Sequence, residues 1–133
     1  ATSAEPVTSV DYLPTIAEAA RLDLPKDVEI DGSSLVGHLR SGGKEPLKRE
    51  AIYWHFPHYR HNPGPYSIIR EGPWKLIHFY DGPMELYNLE DDLGEKKNLA
   101  SAMPAKVKEL DARLLAHLKS IGAKMPKPNP DKK

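Results

Sequence analysis

At 133 residues the chain can bury one modest core, and 13 prolines with 9 glycines call for much loop and turn. Nineteen basic residues balance nineteen acidic ones, so no global field favours nucleic acid or an anionic membrane. The absence of cysteine excludes disulfides, thiolate zinc sites and cysteine nucleophiles, and no apolar run reaches the length of a membrane span. Residues 1–6 do not read as a signal peptide, and the missing initiator methionine points to a processed or excised product.

In chain order, Val10, Leu13, Ile16, Ala17 and Ala20 recur at helical spacing, and Thr8 with Asp11 forms a capping pair ahead of them. Pro14 predicts a tight first turn, with regular helix from about Leu13 to Arg21. Asp31-Gly32 reads as a turn, and Ser33 as the cap of a short helix that ends at Ser41-Gly42-Gly43. Four strand-like runs follow: Ala51 to Phe56, Ser67 to Arg70, Trp74 to Phe79 and Met84 to Leu89. The turns Glu71-Gly72-Pro73 and Asp81-Gly82-Pro83 join the last three into an antiparallel meander. Along the third run Trp74, Leu76 and His78 share one side, and Lys75, Ile77 and Phe79 the other, which predicts partial cover on both faces of the sheet.

Pro104 opens the strongest helix, with the apolar stripe Val107, Leu110, Leu114, Leu118 and Ile121 and with Gly122 as its terminator. The expected fold is α+β: a four-stranded antiparallel sheet packed on a long C-terminal helix, preceded by one or two N-terminal helices. Residues 1–50 form a helical segment, 51–122 the sheet and its helix, and 123–133 a disordered tail.

The stretch from Trp54 to Tyr66 concentrates the chemistry. His55, His58, Tyr59, Arg60 and His61 crowd a segment that Pro57, Pro63, Gly64 and Pro65 keep irregular. Arg60 offers a bidentate fork for sulfate or carboxylate, and imidazoles donate to anions. The bland alternative is a surface loop with His55 packed at a strand end. A rival reading takes H-x-x-H-x-x-H as a transition-metal site. Pro57 and Pro63 oppose the helix that would align these imidazoles, and no nearby carboxylate orients them. The tail lysines are too few for a polyanion site.

The segments Val10 to Ile16, Asp31 to Leu35, Arg70 to Ile77 and Glu85 to Ala100, in that order, resemble the end of a type I sulfatase, the formylglycine-dependent arylsulfatase family. Val10-Asp11-Tyr12-Leu13-Pro14-Thr15-Ile16 is similar to the V-D-x-x-P-T helix, and Asp31-Gly32-Ser33-Ser34-Leu35 to the D-G-x-S-L turn. Arg70-Glu71-Gly72-Pro73-Trp74-Lys75-Leu76-Ile77 is similar to the R-x-G-x-W-K strand. Glu85-Leu86-Tyr87-Asn88-Leu89, with Glu95 and Asn98-Leu99-Ala100, resembles E-L-Y-D-L…E…N-L-A. Asn88 and Leu93 depart from the usual Asp and Pro.

The resemblance implies that the first helix belongs to the edge of a larger catalytic domain, and that the intact enzyme hydrolyses sulfate esters of sugars or aryl groups. It implies a formylglycine made within C/S-x-P-x-R and a calcium ion held by Asp and Asn. That motif is absent here, Asp91-Asp92 lies outside the metal-binding context, and the chain alone is expected to be inactive with no cofactor of its own. His55, His58, Tyr59, Arg60 and His61 are expected to approach substrate in the intact enzyme. The expected partner is the N-terminal catalytic domain, with self-association through the first helix when that partner is missing. Export to the periplasm or beyond follows by resemblance. The alternative is a stand-alone glycan-binding or interaction module derived from a sulfatase.

Overall fold

The computed structural model describes residues 2–59, 62 and 64–127. The chain divides into two compact units, Ala1–Arg49 and Glu50–Lys133.

In the first unit a 3₁₀ turn, Ser9–Asp11, leads into α1, Tyr12–Ala20, and α2 spans Val36–Arg40. Pro14 falls in the first turn of α1, where its missing N–H costs nothing. Arg21 closes the helix in the left-handed conformation. Asp11 organises the unit. Its fully buried carboxylate accepts from the Thr8 N–H at 2.8 Å, the Ser33 N–H at 3.0 Å, and both terminal nitrogens of Arg49 at 2.6 and 2.9 Å. The Thr15 hydroxyl donates to the Asp11 carbonyl and accepts from the Leu35 N–H at 2.9 Å. Two of the motifs noted in the sequence therefore meet here, the first supplying acceptors and the second donors. Gly32 is required by contact: a β-carbon there would lie 2.0 Å from the Val10 carbonyl oxygen.

The expected cap at Ser33 is not formed: α2 begins after Leu35 with no side-chain cap, the Ser33 N–H donates to Asp11, and Ser34 Oγ accepts from the Val36 N–H at 3.2 Å within the turn ahead of the helix. Val10, Leu13 and Ile16 of the expected stripe, and Tyr12 beside them, are between 46% and 64% exposed, so this part of the stripe faces outward while Ala17 is buried.

The second unit is a four-stranded antiparallel meander in the order β1 (Ile52–Phe56), β2 (Tyr66–Glu71), β3 (Trp74–Phe79), β4 (Glu85–Asn88), followed by α3 (Pro104–Ser120). Glu71 pairs with Trp74, so Gly72-Pro73 is a two-residue hairpin, and Gly72 takes the positive φ of 54° that its first position asks for. The register aligns Tyr53, Ile69, Leu76 and Leu86 across the sheet. Ile69, Leu76 and Leu86 meet Leu110, Leu114 and Leu118 of α3 in one core, with Tyr53, Trp74, Val107 and Ala123 packed around it. Ile121, expected in the helix stripe, is 56% exposed: α3 stops at Ser120 and the chain turns at Gly122, φ 61°.

Side-chain alternation places Ile52, Trp54, Phe56, Tyr66, Ile68, Arg70, Lys75, Ile77, Phe79, Glu85 and Tyr87 on the face turned away from α3. Ile77 and Tyr87 are buried there and Trp54 is exposed.

Beyond α3, the Ala123 N–H donates to the Leu118 carbonyl at 2.9 Å. Of the tail expected over 123–133, residues 128–133 lie outside the described residues.

Candidate functional site

The histidine-rich loop leaves β1 at Phe56 and returns into β2 at Tyr66. Its entry is tightly held. His55 Nδ1 lies 2.7 Å from the Ser67 hydroxyl on the neighbouring strand, and Nε2 lies 3.0 Å from the Lys124 carbonyl. Both imidazole nitrogens are thus engaged within the protein. The buried Ser67 hydroxyl is shared with Tyr80 Oη at 2.8 Å, giving a chain of three polar groups along the loop end of the α3-facing side.

A second pair adjoins this chain. His78 Nδ1 lies 2.6 Å from Asp111 Oδ1 on α3, and the His78 ring centroid is 4.7 Å from that of Tyr80. Burial pushes the Tyr80 phenol above its ordinary pKa. The Ser67 hydroxyl pulls the other way, and the Asp111 charge adds to the rise. Ser67, Tyr80, His78 and Asp111 escaped the sequence reading. The usable signal was a histidine on the Trp74–Leu76 side of β3 and an acid at position 111, inside the helix stripe between Val107 and Leu114. Serine, histidine and aspartate all occur here, but the buried serine meets one histidine and the aspartate another, so they form no nucleophilic relay.

Past the strand end the loop opens outward. His58 and Tyr59 are both exposed, and the His58 ring stands edge-on to Phe56 at 5.3 Å. Phe56 stacks on Tyr66 at 5.6 Å and Tyr66 meets Phe79 at 6.1 Å, a row of rings that fixes the loop's base on the side away from α3. Arg60 and His61 lie outside the described residues.

Among the described residues no group of three or more His, Cys, Asp and Glu side chains converges. Asp91 Oδ2 accepts from the Asn88 amide and Asp92 Oδ2 from the Lys97 N–H, each at 2.7 Å. Backbone N–H groups of Lys96 and Lys97 hold the Asp92 carboxyl below its ordinary range. These carboxylates shape their own loop and do not fit a calcium site.

The remaining recurrent segments are structural as well. Lys75 Nζ lies 2.7 Å from Glu95 Oε1, and Tyr87 Oη donates to Glu85 Oε2 at 2.9 Å. Asn98 Oδ1 accepts from the N–H groups of Leu86 and Ala100, closing the outer edge of β4.

The family model described as N-sulphoglucosamine sulphohydrolase, C-terminal, matches residues 1–124. A sulfatase from Formosa agariphila is 35% identical over 115 residues, covering 74% of this chain and 20% of its own length. An N-acetylglucosamine-6-O-sulfatase from Bacteroides thetaiotaomicron is 34% identical over 99 residues, 68% of this chain and 17% of its own. A solved enzyme structure in complex with its substrate, D-glucosamine-2-N,6-O-disulfate, superposes with a TM-score of 0.68 at 32% identity, covering 92% of this chain and 25% of that one. The chain thus spans about one fifth of the length of the curated relatives it matches.

Proposed function

This chain belongs to the sulfatase family, as its C-terminal domain, and from that premise we propose that it completes a sulfuric-ester hydrolase whose catalytic centre lies in the rest of the polypeptide. Its work there is twofold. It buttresses the catalytic domain, and it lends the histidine loop to the mouth of the substrate pocket.

The observation that carries this reading is the division of labour within the loop. His55 is pinned on both nitrogens and holds the loop's entry, while His58 and Tyr59 project outward just beyond it. We assign substrate contact to His58 and Tyr59, with Arg60 and His61 joining them on sequence grounds. Imidazole and guanidinium suit a sulfate or carboxylate, and a tyrosine face suits a sugar ring. The substrate class that fits is a sulfated sugar, in line with the aminosugar sulfate bound by the structural relative. Calcium and formylglycine would be supplied by the catalytic half, and the residues described here take no part in holding either. The exposed apolar face of α1 is the natural seat for that half.

The test is kinetic. In the whole enzyme, His58→Ala and Tyr59→Ala are expected to raise KM for a sulfated sugar roughly tenfold with kcat little changed, as the loss of uniform binding does. The 133-residue chain alone is expected to release no sulfate. Unchanged KM in both variants would remove the loop from the pocket, and sulfate release by the chain alone would refute the division of the enzyme.

A further inference from the structure

We infer that Arg70 is a docking cation, awaiting a carboxylate on the catalytic half of the enzyme; this rests on the reading above and deepens it. Arg70 lies on the sheet face turned away from α3, directly across from Ile52 on one strand and Lys75 on the other. Its Nε is buried and has no hydrogen-bond partner. A buried donor left unsatisfied is costly, and native proteins keep few of them.

The acids of the sheet and its flanking loop already have partners of their own. Glu95 takes Lys75 at 2.7 Å, and Glu85 takes the Tyr87 hydroxyl at 2.9 Å. Glu71, next in sequence but on the α3 side of the sheet, lies in an ion pair 2.8 Å from Arg113, although its Oε2 makes no hydrogen bond. The cation beside Arg70 is therefore neutralised while Arg70 is not. Addition of one acid from outside would satisfy the guanidinium and balance this part of the face. The source of that acid follows from length, since the relatives carry about four-fifths of their chain beyond the matched part.

Substrate is the competing source of negative charge, and position argues against it. Arg70 stands four residues along β2 from Tyr66, where the histidine loop rejoins the sheet, or about 13 Å at the rise of a strand. A small sulfated sugar held by His58 and Tyr59 would leave this guanidinium out of reach.

The experiment uses the whole enzyme with Arg70→Met and Arg70→Lys, read by thermal inactivation rate and by KM for a small sulfate ester. R70M is expected to speed inactivation at least about tenfold and to leave KM unchanged, because it strands the partner's carboxylate at the interface. R70K should fall between, since it keeps the charge and loses the planar fork. In the 133-residue chain alone, R70M is expected to leave stability unchanged or raise it. Unaltered inactivation of the whole enzyme, or a raised KM without faster inactivation, overturns the inference while leaving the proposed function standing. If no larger polypeptide carries this chain, both fall together.

Discussion

Arg49 grips Asp11 at both ends, its two terminal nitrogens lying 2.6 and 2.9 Å from the two oxygens of a carboxylate that water does not reach. The same carboxylate receives the Thr8 and Ser33 N–H groups, so one side chain ties the start of α1, the turn at Gly32 and the end of the unit together. Burial alone would raise the Asp11 pKa. The Arg49 guanidinium and the two backbone N–H groups outweigh burial and hold the carboxyl below its ordinary range.

Asp11→Asn is therefore expected to destabilise the chain by about 3 kcal/mol at neutral pH, because it leaves the Arg49 cation without its counter-charge. Urea unfolding of the two proteins measures the difference. The depressed carboxyl contributes its full stabilisation above the ordinary carboxylate range and loses it as pH falls through the lowered folded-state value. The stability gap between native chain and variant should accordingly close in acid. A gap that persists unchanged at low pH would contradict this account of Asp11.

Gly32→Ala tests the close approach beside that pair. A β-carbon 2.0 Å from the Val10 carbonyl oxygen forces the turn away from α1, and overpacking of this kind costs about 3 kcal/mol. Gly72→Ala meets no atom within 4 Å and pays only for positive φ, about 1 kcal/mol. Equal losses in the two variants, read by thermal unfolding, would contradict the steric argument.

Tyr87 gives an alkaline signature. Burial, then the hydrogen bond to Glu85, pushes its phenol up to about 12. A raised phenol pKa contributes stability that is complete below the ordinary value of 10 and is lost as pH rises toward 12. Tyr87→Phe should remove this loss, worth about 2 kcal/mol, and its phenolate absorbance should be missing from the last step of an alkaline titration. Identical alkaline unfolding curves for the two proteins would show that Tyr87 does not control it.

The outward stripe of α1 predicts association when the catalytic half is missing. Leu13 and Ile16 are exposed apolar residues on one helix face, so the 133-residue chain should sediment as larger species at rising concentration. Ile16→Glu should restore the monomer. A native chain that stays monomeric and binds no apolar dye would show that this face needs no partner.

Much of this fold was legible because local pattern and tertiary structure agree. The alternation of Trp74, Leu76 and His78 against Lys75, Ile77 and Phe79 gave the two faces of β3, and the stripe through Leu110, Leu114 and Leu118 gave the buried side of α3. Where long-range contacts decide, sequence was silent. No local pattern announces that the Ser33 N–H is given to Asp11, 22 residues away, or that the His55 imidazole bridges Ser67 and Lys124. The four recurrent segments mark scaffold: Asp11, Thr15, Lys75, Glu95 and Asn98 hold turns and strands in place. The exposed candidates, His58 and Tyr59, carry no such contacts, and so their pattern encoded composition without geometry.

The most direct test of the central claim is the mass of the native protein, captured from its source with an antibody to this chain. A C-terminal sulfatase domain predicts a polypeptide several times heavier than 14.9 kDa, with sulfate-ester hydrolysis that copurifies with it. A native mass of 14.9 kDa would contradict the account and leave a stand-alone binding module in its place.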